Sequence, residues 1–248
     1  MTDIYREISI TTISEAGAMD ADGLRKLCKA ASAAAWLVFF GMLIHLINAS
    51  YLEPTYLGFV DKAKDYGDMS KIQNAFESCS MASLQMCSFT YSGYAHMCNG
   101  LMLMLLGVGV LNLFRYTNPV LAQLAFVAAL VAGLGFFATG ITDIPGTAYA
   151  TLLRELNPDY NTAILLTSTV IRGIVNIIGI TGLGLFAAFT GRAALKSGLF
   201  SKWGAWWGYL LLLPALGGLV NPILGFTYLM FVVPWMVWLG LQFRKVSR

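Results

Sequence analysis

The sequence has little charge, and the long stretches that hold almost none are its most informative feature. Only 12% of the 248 residues are charged and 57% are hydrophobic, whereas soluble domains hold about 25% charged residues. Residues 93–114, 119–142, 162–190 and 203–242 contain no carboxylate, and Arg172 is their one Lys or Arg. A charge at the bilayer centre costs on the order of 2.5 kcal/mol or more, so these stretches suit hydrocarbon. The sequence predicts a polytopic membrane protein.

Other absences exclude several classes of function. The sequence shows no Ser-His-Asp pattern, no zinc-protease motif and no phosphate-binding glycine loop before a helix. The predicted spans contain no lysine, which excludes a Schiff-base rhodopsin. The net charge of +3 is small and scattered, which excludes a nucleic-acid footprint. The first 24 residues lack the basic start and apolar middle of a signal peptide, so we expect the N-terminus to be retained.

Six spans, each of about 20 residues, are long enough to cross roughly 30 Å of hydrocarbon. The prediction is an all-α bundle of six transmembrane helices, and its spans are Ala31–Leu52, Gly93–Phe114, Pro119–Thr142, Thr162–Thr190, Trp203–Val220 and Ile223–Gln242. Pro119 suits the first turn of its helix. Pro214 and Pro234 fall inside the last two spans, and we expect both to kink them.

The distribution of Lys and Arg predicts the orientation. Eleven of these residues fall on the side of the two termini and four on the other side. By the positive-inside rule both termini are cytoplasmic, in a plasma (inner) membrane protein. The tryptophans, which favour the membrane interface, fall near the predicted cytoplasmic helix ends; they are Trp36, Trp203, Trp206, Trp207, Trp235 and Trp238.

The chain is predicted to form one transmembrane domain, 1–248, without internal repeats. Residues 1–30 form a cytoplasmic tail, and residues 1–24 have too little apolar content to fold alone, so we expect the tail to dock on a partner subunit. Residues 53–92 form the one sizeable external segment. Within it, residues 69–92 read as an amphipathic helix that either lies on the outer interface or extends helix two outward.

Arg172 is the first candidate site residue, because an intramembrane cation marks function by default. It falls ten residues into the fourth span, about 15 Å deep, and Asn176 shares its helix face. One interpretation is structural: the side chain snorkels to a lipid phosphate or pairs with Asp143. The other is an anion or lipid-headgroup site near the outer leaflet, formed by Arg172, Asn176 and Asp143.

The only two histidines, His45 and His96, fall at similar depths on the first two helices. Two imidazoles on facing helices are what a b-type haem requires. Histidines in a bilayer also form hydrogen bonds between helices, and Asn48 and Asn99 are polar partners within a turn. Both interpretations stay open at this stage.

Soft metal ligands are concentrated around His96. Thiolate, thioether and imidazole groups together select Cu(I), and the candidate copper ligands are Cys79, Cys87, His96, Met97 and Cys98. Their spacing matches no compact metal motif, because Cys87 and Cys98 share a helix face but lie some 16 Å apart along it. Methionine packing, or a disulfide between Cys79 and Cys87, explains the same residues.

Glycines recur at helix-packing intervals, as in the pair Gly204 and Gly208 and along helix four at Gly173, Gly179, Gly182 and Gly184. Small residues let helix backbones approach closely in lipid. These glycines therefore indicate contacts within the bundle or with a partner chain.

The stretch GRAALKSGLFSKWGAWW (residues 191–207), followed by a hairpin that ends in FVVPWMVWLGLQFRK, resembles a bacterial six-helix membrane family known as domain of unknown function 4386. That family has a short basic loop with a Ser-Gly pair before its last two helices. Ser197-Gly198, Lys202 and Trp203 fill those places, while Ser201 stands where a proline is common. The resemblance covers the last third of the chain and implies a six-helix bundle without implying an activity.

Three functions follow from these features. The first is a non-catalytic integral subunit of a larger membrane complex, with a lipid or quinone-sized pocket in the outer leaflet. The second is a redox protein that binds haem b through His45 and His96, or copper near Cys79, Cys87 and His96. The third is a small-molecule transporter built around Arg172. Two absences count against this hypothesis, because the spans contain no coupling carboxylate and the sequence shows no inverted repeats.

Overall fold

Seven α-helices make up most of the chain that the structure describes. The computed structural model describes residues 20–52, 70, 88–156, 158–221, 224 and 227–248, and these contain no strand. The helices are α1 (Ala21–Ile47), α2 (Ser88–Phe114), α3 (Pro119–Leu156), α4 (Pro158–Ser197), α5 (Lys202–Leu210), α6 (Leu212–Val220) and α7 (Tyr228–Val246). A π-helical turn, Asn48–Leu52, follows α1. With α5 and α6 joined as one span, six stretches are long and apolar enough to cross a membrane.

Several helix boundaries follow from local sequence signals. The Asp20 carboxylate caps α1 by accepting a hydrogen bond of 2.7 Å from the backbone N–H of Gly23. Pro119 and Pro158 occupy the first position of α3 and α4, where a missing N–H costs nothing. Gly198 ends α4 with a φ of 70°, a backbone conformation that favours glycine.

The helices are longer than the predicted spans. Helix α1 begins ten residues before Ala31, so part of the predicted tail is helical. Helix α3 continues from Thr142 to Leu156, and α4 begins immediately afterwards at Pro158. At a rise of about 1.5 Å per residue, the 38 residues of α3 extend about 57 Å, well beyond the hydrocarbon core. Residues 143–156, which were expected to lie between the third and fourth spans, are therefore a helical continuation of α3.

The two internal prolines have different effects. The fifth span is interrupted at Leu211, three residues before Pro214, and therefore consists of α5 and α6. A kink was also predicted at Pro234. This proline does not interrupt its helix, since α7 is continuous from Tyr228 to Val246.

Most helices that follow each other in the chain also pack against each other. Helices α1, α2, α3 and α4 form consecutive pairs, α4 packs on α5 and α6, and α7 closes the bundle against α1. Helices α3 and α4 approach closely, because a Cβ atom on Gly135 would overlap the backbone of Gly179. Gly208 faces Ala187 of α4 and Gly204 faces Trp238 of α7. These glycines make contacts within the bundle.

The bundle has two distinct ends. At the end that we call the terminal end, Gly109 of α2 lies against Ala31 of α1 and Phe243 of α7. The opposite end, where α3 and α4 project, is called the hairpin end. Helix α1 begins, and α7 ends, at the terminal end.

The predicted tryptophan belt is only partly correct. Trp203 and Trp206 are 66% and 61% exposed, as interfacial residues would be, but Trp235 and Trp238 are buried in the bundle core. Trp238 donates a hydrogen bond of 2.7 Å to the Ser201 hydroxyl. Hydropathy cannot distinguish an interfacial tryptophan from a core one, because both belong to apolar helices.

Part of the predicted organisation lies outside the described residues. This applies to residues 1–19 of the tail, to 53–69 and 71–87 of the predicted external segment, and to Cys79 and Cys87. The last residues of the predicted amphipathic helix, 88–92, belong to α2 and extend helix two, which was one of the two alternatives for them.

Candidate functional site

A group of polar side chains lies between α1, α2, α3 and α4 toward the hairpin end. We call this group the polar cluster and define it as His45, Ser92, His96, Asn99, Asp143 and Arg172. All are buried except Arg172, whose side chain is 22% exposed. Because ionisable side chains are rare and costly within apolar spans, a group that contains four of them is the first candidate for function.

Two imidazole rings are in contact at the centre of the polar cluster. The ring centroids of His45 and His96 lie 4.6 Å apart, and their planes are tilted by 57°. Nδ1 of His45 shares a hydrogen bond of 3.1 Å with the Ser92 hydroxyl, which fixes the orientation of the His45 ring. His96 stacks on Phe136 of α3, with centroids 5.8 Å apart and planes 6° apart. Side chains on both α2 and α3 therefore hold the pair in place.

Helix α2 presents its polar residues on one face. Ser92, His96 and Asn99 follow each other at intervals of four and three residues, which is the spacing of a single helix face. The Asn99 amide packs directly on Gly41 of α1. Any side chain at position 41 would overlap this amide. Both amide atoms of Asn99 and Nδ1 of His96 are buried without a hydrogen-bond partner among the described residues. Such groups cost about 1–3 kcal/mol each unless water or a ligand satisfies them.

An ion pair joins α3 to α4. Nε of Arg172 lies 2.5 Å from Oδ1 of Asp143, whose side chain is 1% exposed. Gly93 makes room for the carboxylate beside α2, because a Cβ atom there would lie 3.1 Å from Cβ of Asp143. Gly93 is three residues from His96, one turn away along the same side of α2. The ion pair and the histidines therefore belong to one site.

Asn176 follows Arg172 by one turn of α4. Its Oδ1 atom is buried and forms no hydrogen bond with any described residue. Of the predicted set Arg172, Asn176 and Asp143, the structure brings the arginine and the aspartate together. Asn176 adds one more unsatisfied acceptor near the polar cluster.

The ion pair lies toward the hairpin end of both helices. Asp143 comes 24 residues after Pro119, the first residue of α3, which corresponds to about 36 Å of helix. A hydrocarbon core is about 30 Å thick. Asp143 accordingly lies at the end of the third apolar span, Pro119–Ile144, and Arg172 near the start of the fourth, Val170–Ser197. The depth of about 15 Å for Arg172 stays a prediction.

An apolar layer separates the polar cluster from the terminal end. Phe136 stacks on Tyr228 of α7 with ring centroids 6.2 Å apart. The Tyr228 hydroxyl donates to the sulfur of Met42 at 3.6 Å, one turn of α1 before His45. Both side chains of that hydrogen bond and Phe136 are fully buried. This layer closes the polar cluster on the side of the terminal end.

The histidine pair does not fit a haem between its rings. Two imidazoles that share one iron stand on opposite sides of a flat macrocycle, with metal–nitrogen bonds of about 2 Å on each side. His45 and His96 instead pack directly against each other at 4.6 Å, with no space for a macrocycle. This spacing does not support binding of haem b by the pair.

The copper prediction concerns residues that the structure describes only in part. The described residues contain no group of three His, Cys, Asp or Glu side chains that could hold a metal ion. Cys98 is a half-buried free thiol, and Met97 packs against Gly140 of α3. Cys79 and Cys87 lie outside the described residues, so copper binding with His96 and the alternative disulfide stay predictions.

The sequence did not single out several residues of this site. Asn48 and Asn99 were expected as partners of the histidines, and Ser92, which the sequence analysis did not name, is a partner of His45. Phe136 and Tyr228, which stack beneath His96, resemble any other aromatic residues of an apolar span. The four-residue spacing of Ser92 and His96, which places both on one helix face, was the one sequence feature that indicated their proximity.

No protein family, characterised protein or solved structure matches the chain significantly. The resemblance to the six-helix family of unknown function stays a prediction.

Proposed function

We propose that this protein is an integral membrane carrier that binds a small polar molecule at the polar cluster. The observation that carries the proposal is the buried Asp143–Arg172 ion pair beside two contacting histidines. Ionisable groups that face the interior of a membrane bundle mark substrate and ion pathways. Broken helices accompany such sites in many transporters, and the interruption at Leu211 is consistent with this.

The unsatisfied polar atoms support a ligand-binding role. A purely structural ion pair requires neither the histidines nor the amide of Asn99, all of which cost desolvation energy. Nδ1 of His96 and the Asn99 amide offer buried hydrogen-bonding groups with no partner among the described residues. A hydrated small molecule, or the water that it displaces, satisfies them.

Two features of the structure shift the balance among the three hypotheses. The lack of a coupling carboxylate in the spans counted against a transporter, but Asp143 is buried at the end of the third apolar span, Pro119–Ile144. The abundant glycines counted in favour of a partner subunit, but Gly135, Gly204 and Gly208 make their contacts within the bundle. The carrier is therefore the function that the geometry favours.

We further propose that the protein lies in the plasma membrane with both termini in the cytoplasm. The excess of Lys and Arg at the terminal end and the exposed Trp203 and Trp206 beside Lys202 support this orientation. The polar cluster would then open toward the outside. Cysteines placed at Arg248 and Thr117 in a cysteine-free variant should react with a membrane-impermeant maleimide only after the cells are lysed. Reaction in intact cells would contradict the orientation.

A ligand screen on the purified protein tests the carrier proposal. Thermal unfolding in detergent would be followed with amino acids, sugars, small carboxylates, inorganic anions and polyamines at about 5 mM each, a concentration above the common range of KM values, which ends at about 1 mM. We expect at least one compound to raise the unfolding temperature of the wild type. Proteoliposomes should then accumulate that compound in labelled form.

Matched variants locate the binding. Arg172→Lys and Asp143→Asn should lose the stabilisation by the compound, whereas Arg115→Gln should keep it. Arg115 is the control because it bonds to Tyr116 at the opposite end of the bundle. The proposal fails if no compound raises the unfolding temperature of the wild type. It also fails if the compound stabilises Arg115→Gln and Arg172→Lys to the same extent.

A second candidate is the predicted subunit of a larger membrane complex. The observation that favours this role is the open space beside Gly173 of α4. Val170 and Ile174, which flank this glycine in the sequence, are exposed. A small residue on an apolar exposed face lets another helix approach closely. Purification in mild detergent should then recover a partner from wild type but not from Gly173→Leu, and a monodisperse monomer from both would exclude this role.

A further inference from the structure

The last third of the chain contains no acidic side chain. Residues 160–248 hold seven Lys and Arg and neither Asp nor Glu. The cations of this stretch therefore have no acidic partner within it, and any group that neutralises them comes from another part of the chain or from outside the protein. Three of these cations, Arg192, Lys196 and Lys202, lie where α4 ends and α5 begins. We call these three residues the basic corner.

The cations of the basic corner stand at one level of the bundle. Because a short turn joins α4 to α5, the two helices run antiparallel, and Gly191 of α4 lies against the backbone of Ala205 of α5. Arg192 and Lys196 follow Gly191 at an interval of four residues, which places them on one helix face beside the first turn of α5. Lys202 belongs to that turn, and all three side chains are exposed.

The acids of the terminal end are engaged elsewhere. Among the described residues, this end has two acids, Asp20 and Asp22, both at the start of α1. The Asp20 carboxylate caps α1 through the backbone N–H of Gly23, and the Asp22 carboxylate forms an ion pair of 2.6 Å with Lys26. No described residue forms an ion pair with the basic corner. Its three charges therefore face outward without an acid of the bundle to neutralise them.

An exposed apolar face runs from the basic corner along the fifth span. Trp203, Trp206, Leu210 and Leu213 follow each other at intervals of three, four and three residues, and all four are exposed. This spacing belongs to one helix face. We call these four residues the apolar face. Its two tryptophans lie at the same end as Lys202, as aromatic residues at a membrane interface do.

The combination of these two surfaces distinguishes a lipid from other anions. A free phosphate ion stays hydrated and makes no use of an apolar face. An acidic protein segment pairs with the cations in water but does not follow the span into hydrocarbon. An anionic phospholipid contacts both surfaces at once, with its headgroup on the cations and its acyl chains on the apolar face. Each Lys or Arg near a membrane surface strengthens the attraction of anionic lipid roughly fivefold.

We infer that the basic corner is a binding site for an anionic phospholipid. The lipid phosphate contacts Arg192, Lys196 and Lys202, and the acyl chains lie along the apolar face. This inference is independent of the proposed carrier function, because the basic corner lies at the terminal end and the polar cluster lies toward the hairpin end. It identifies the membrane leaflet on the terminal side as a partner whose headgroup charge the protein recognises.

Tryptophan quenching by brominated lipids measures the preference directly. The full-length protein would be placed in vesicles of equal parts phosphatidylcholine and phosphatidylglycerol, with bromine on the acyl chains of one lipid or the other. The quenching of Trp203 and Trp206 is the difference between each protein and its double variant Trp203→Phe with Trp206→Phe. We expect an apparent preference for phosphatidylglycerol of at least about fivefold. It should shrink as the salt rises from about 0.1 M to about 1 M, because the Debye length falls from about 10 Å to about 3 Å.

Matched variants locate the preference. The test variant replaces all three cations of the basic corner with glutamine and should be quenched equally by the two brominated lipids. The control removes three exposed cations of α1 at the same end of the bundle: Arg25→Gln, Lys26→Gln and Lys29→Gln. The control should keep the preference of the wild type. If the test variant does not fold, Lys202→Gln alone should lower the preference, and the salt dependence of the wild type still decides the matter.

Three results would overturn the inference. The first is equal quenching of the wild type by the two brominated lipids, which would leave an acidic protein segment as the occupant of the basic corner. The second is a preference for phosphatidylglycerol that does not change with salt. The third is an equal loss of preference in the test variant and in the control, because the charge of the whole terminal end, and not the basic corner, would then attract the lipid.

Discussion

Asp143 and Arg172 form an ion pair that joins α3 to α4, with the carboxylate Oδ1 2.5 Å from the guanidinium Nε. The backbones of Gly135 on α3 and Gly179 on α4 are in contact. Two turns further toward the hairpin end, the same two helix faces place residue 143 opposite residue 172. The pair is therefore a consequence of helix register. Its position beside the histidines gives the bundle its polar site.

Removal of one partner of this ion pair should destabilise the protein more than removal of both. Asp143→Asn leaves the arginine without its carboxylate, and the loss of one partner of a buried pair costs about 3 kcal/mol. The double variant Asp143→Asn with Arg172→Gln should recover at least half of this loss, because no unpaired charge stays buried. Chemical denaturation in detergent measures the three free energies. A double variant as unstable as the sum of the two single variants would show that the residues do not interact.

Glycine substitutions should separate contacts within the bundle from open surface. Gly135→Ala forces a methyl group into the backbone of Gly179, and overpacking of this kind costs about 1–3 kcal/mol. Gly173→Ala is the matched control on α4, because nothing lies near its added methyl group. Alanine has the better helix propensity, so the control should be neutral or up to about 1 kcal/mol more stable. Equal effects at the two positions would contradict the packing of α3 on α4.

Ser201 should not tolerate the proline that is common at this place in the resembling family. Its backbone φ of −64° suits proline. Its N–H, however, donates to Oε1 of Gln242 at 3.0 Å, and its hydroxyl accepts from Trp238. Ser201→Pro loses both hydrogen bonds and should cost about 1–3 kcal/mol, whereas Ser201→Ala loses one and should cost about half as much. Thermal unfolding of the two variants provides the comparison, and a proline variant as stable as the wild type would refute these contacts.

Brominated lipids should distinguish the exposed tryptophans from the buried ones. Trp203 and Trp206 are exposed and Trp235 is not, so the double variant Trp203→Phe with Trp206→Phe should lose most of the fluorescence quenching. Trp235→Phe should keep that quenching. It should instead lose about 1–2 kcal/mol of stability, because the smaller ring weakens the edge-on contact with Phe186 in the core. Strong protection of Trp203 and Trp206 from the lipid bromines would indicate that another chain covers them.

The sequence by itself determined the helices that enter the membrane, because apolar runs and helix caps are local properties. The six apolar stretches and the proline at the start of α3 needed no knowledge of neighbours in space. The two histidines and Arg172 also stood out as polar residues in apolar surroundings.

Only the tertiary structure decided which of these residues meet. The register of α2, α3 and α4 places Asp143 beside Arg172, His96 against His45, and Ser92 on His45. The same register buries Trp235 and leaves Trp203 exposed. Contacts between helices depend on how side chains of distant segments fit together, and a span's hydropathy is the same whichever of its faces turns inward.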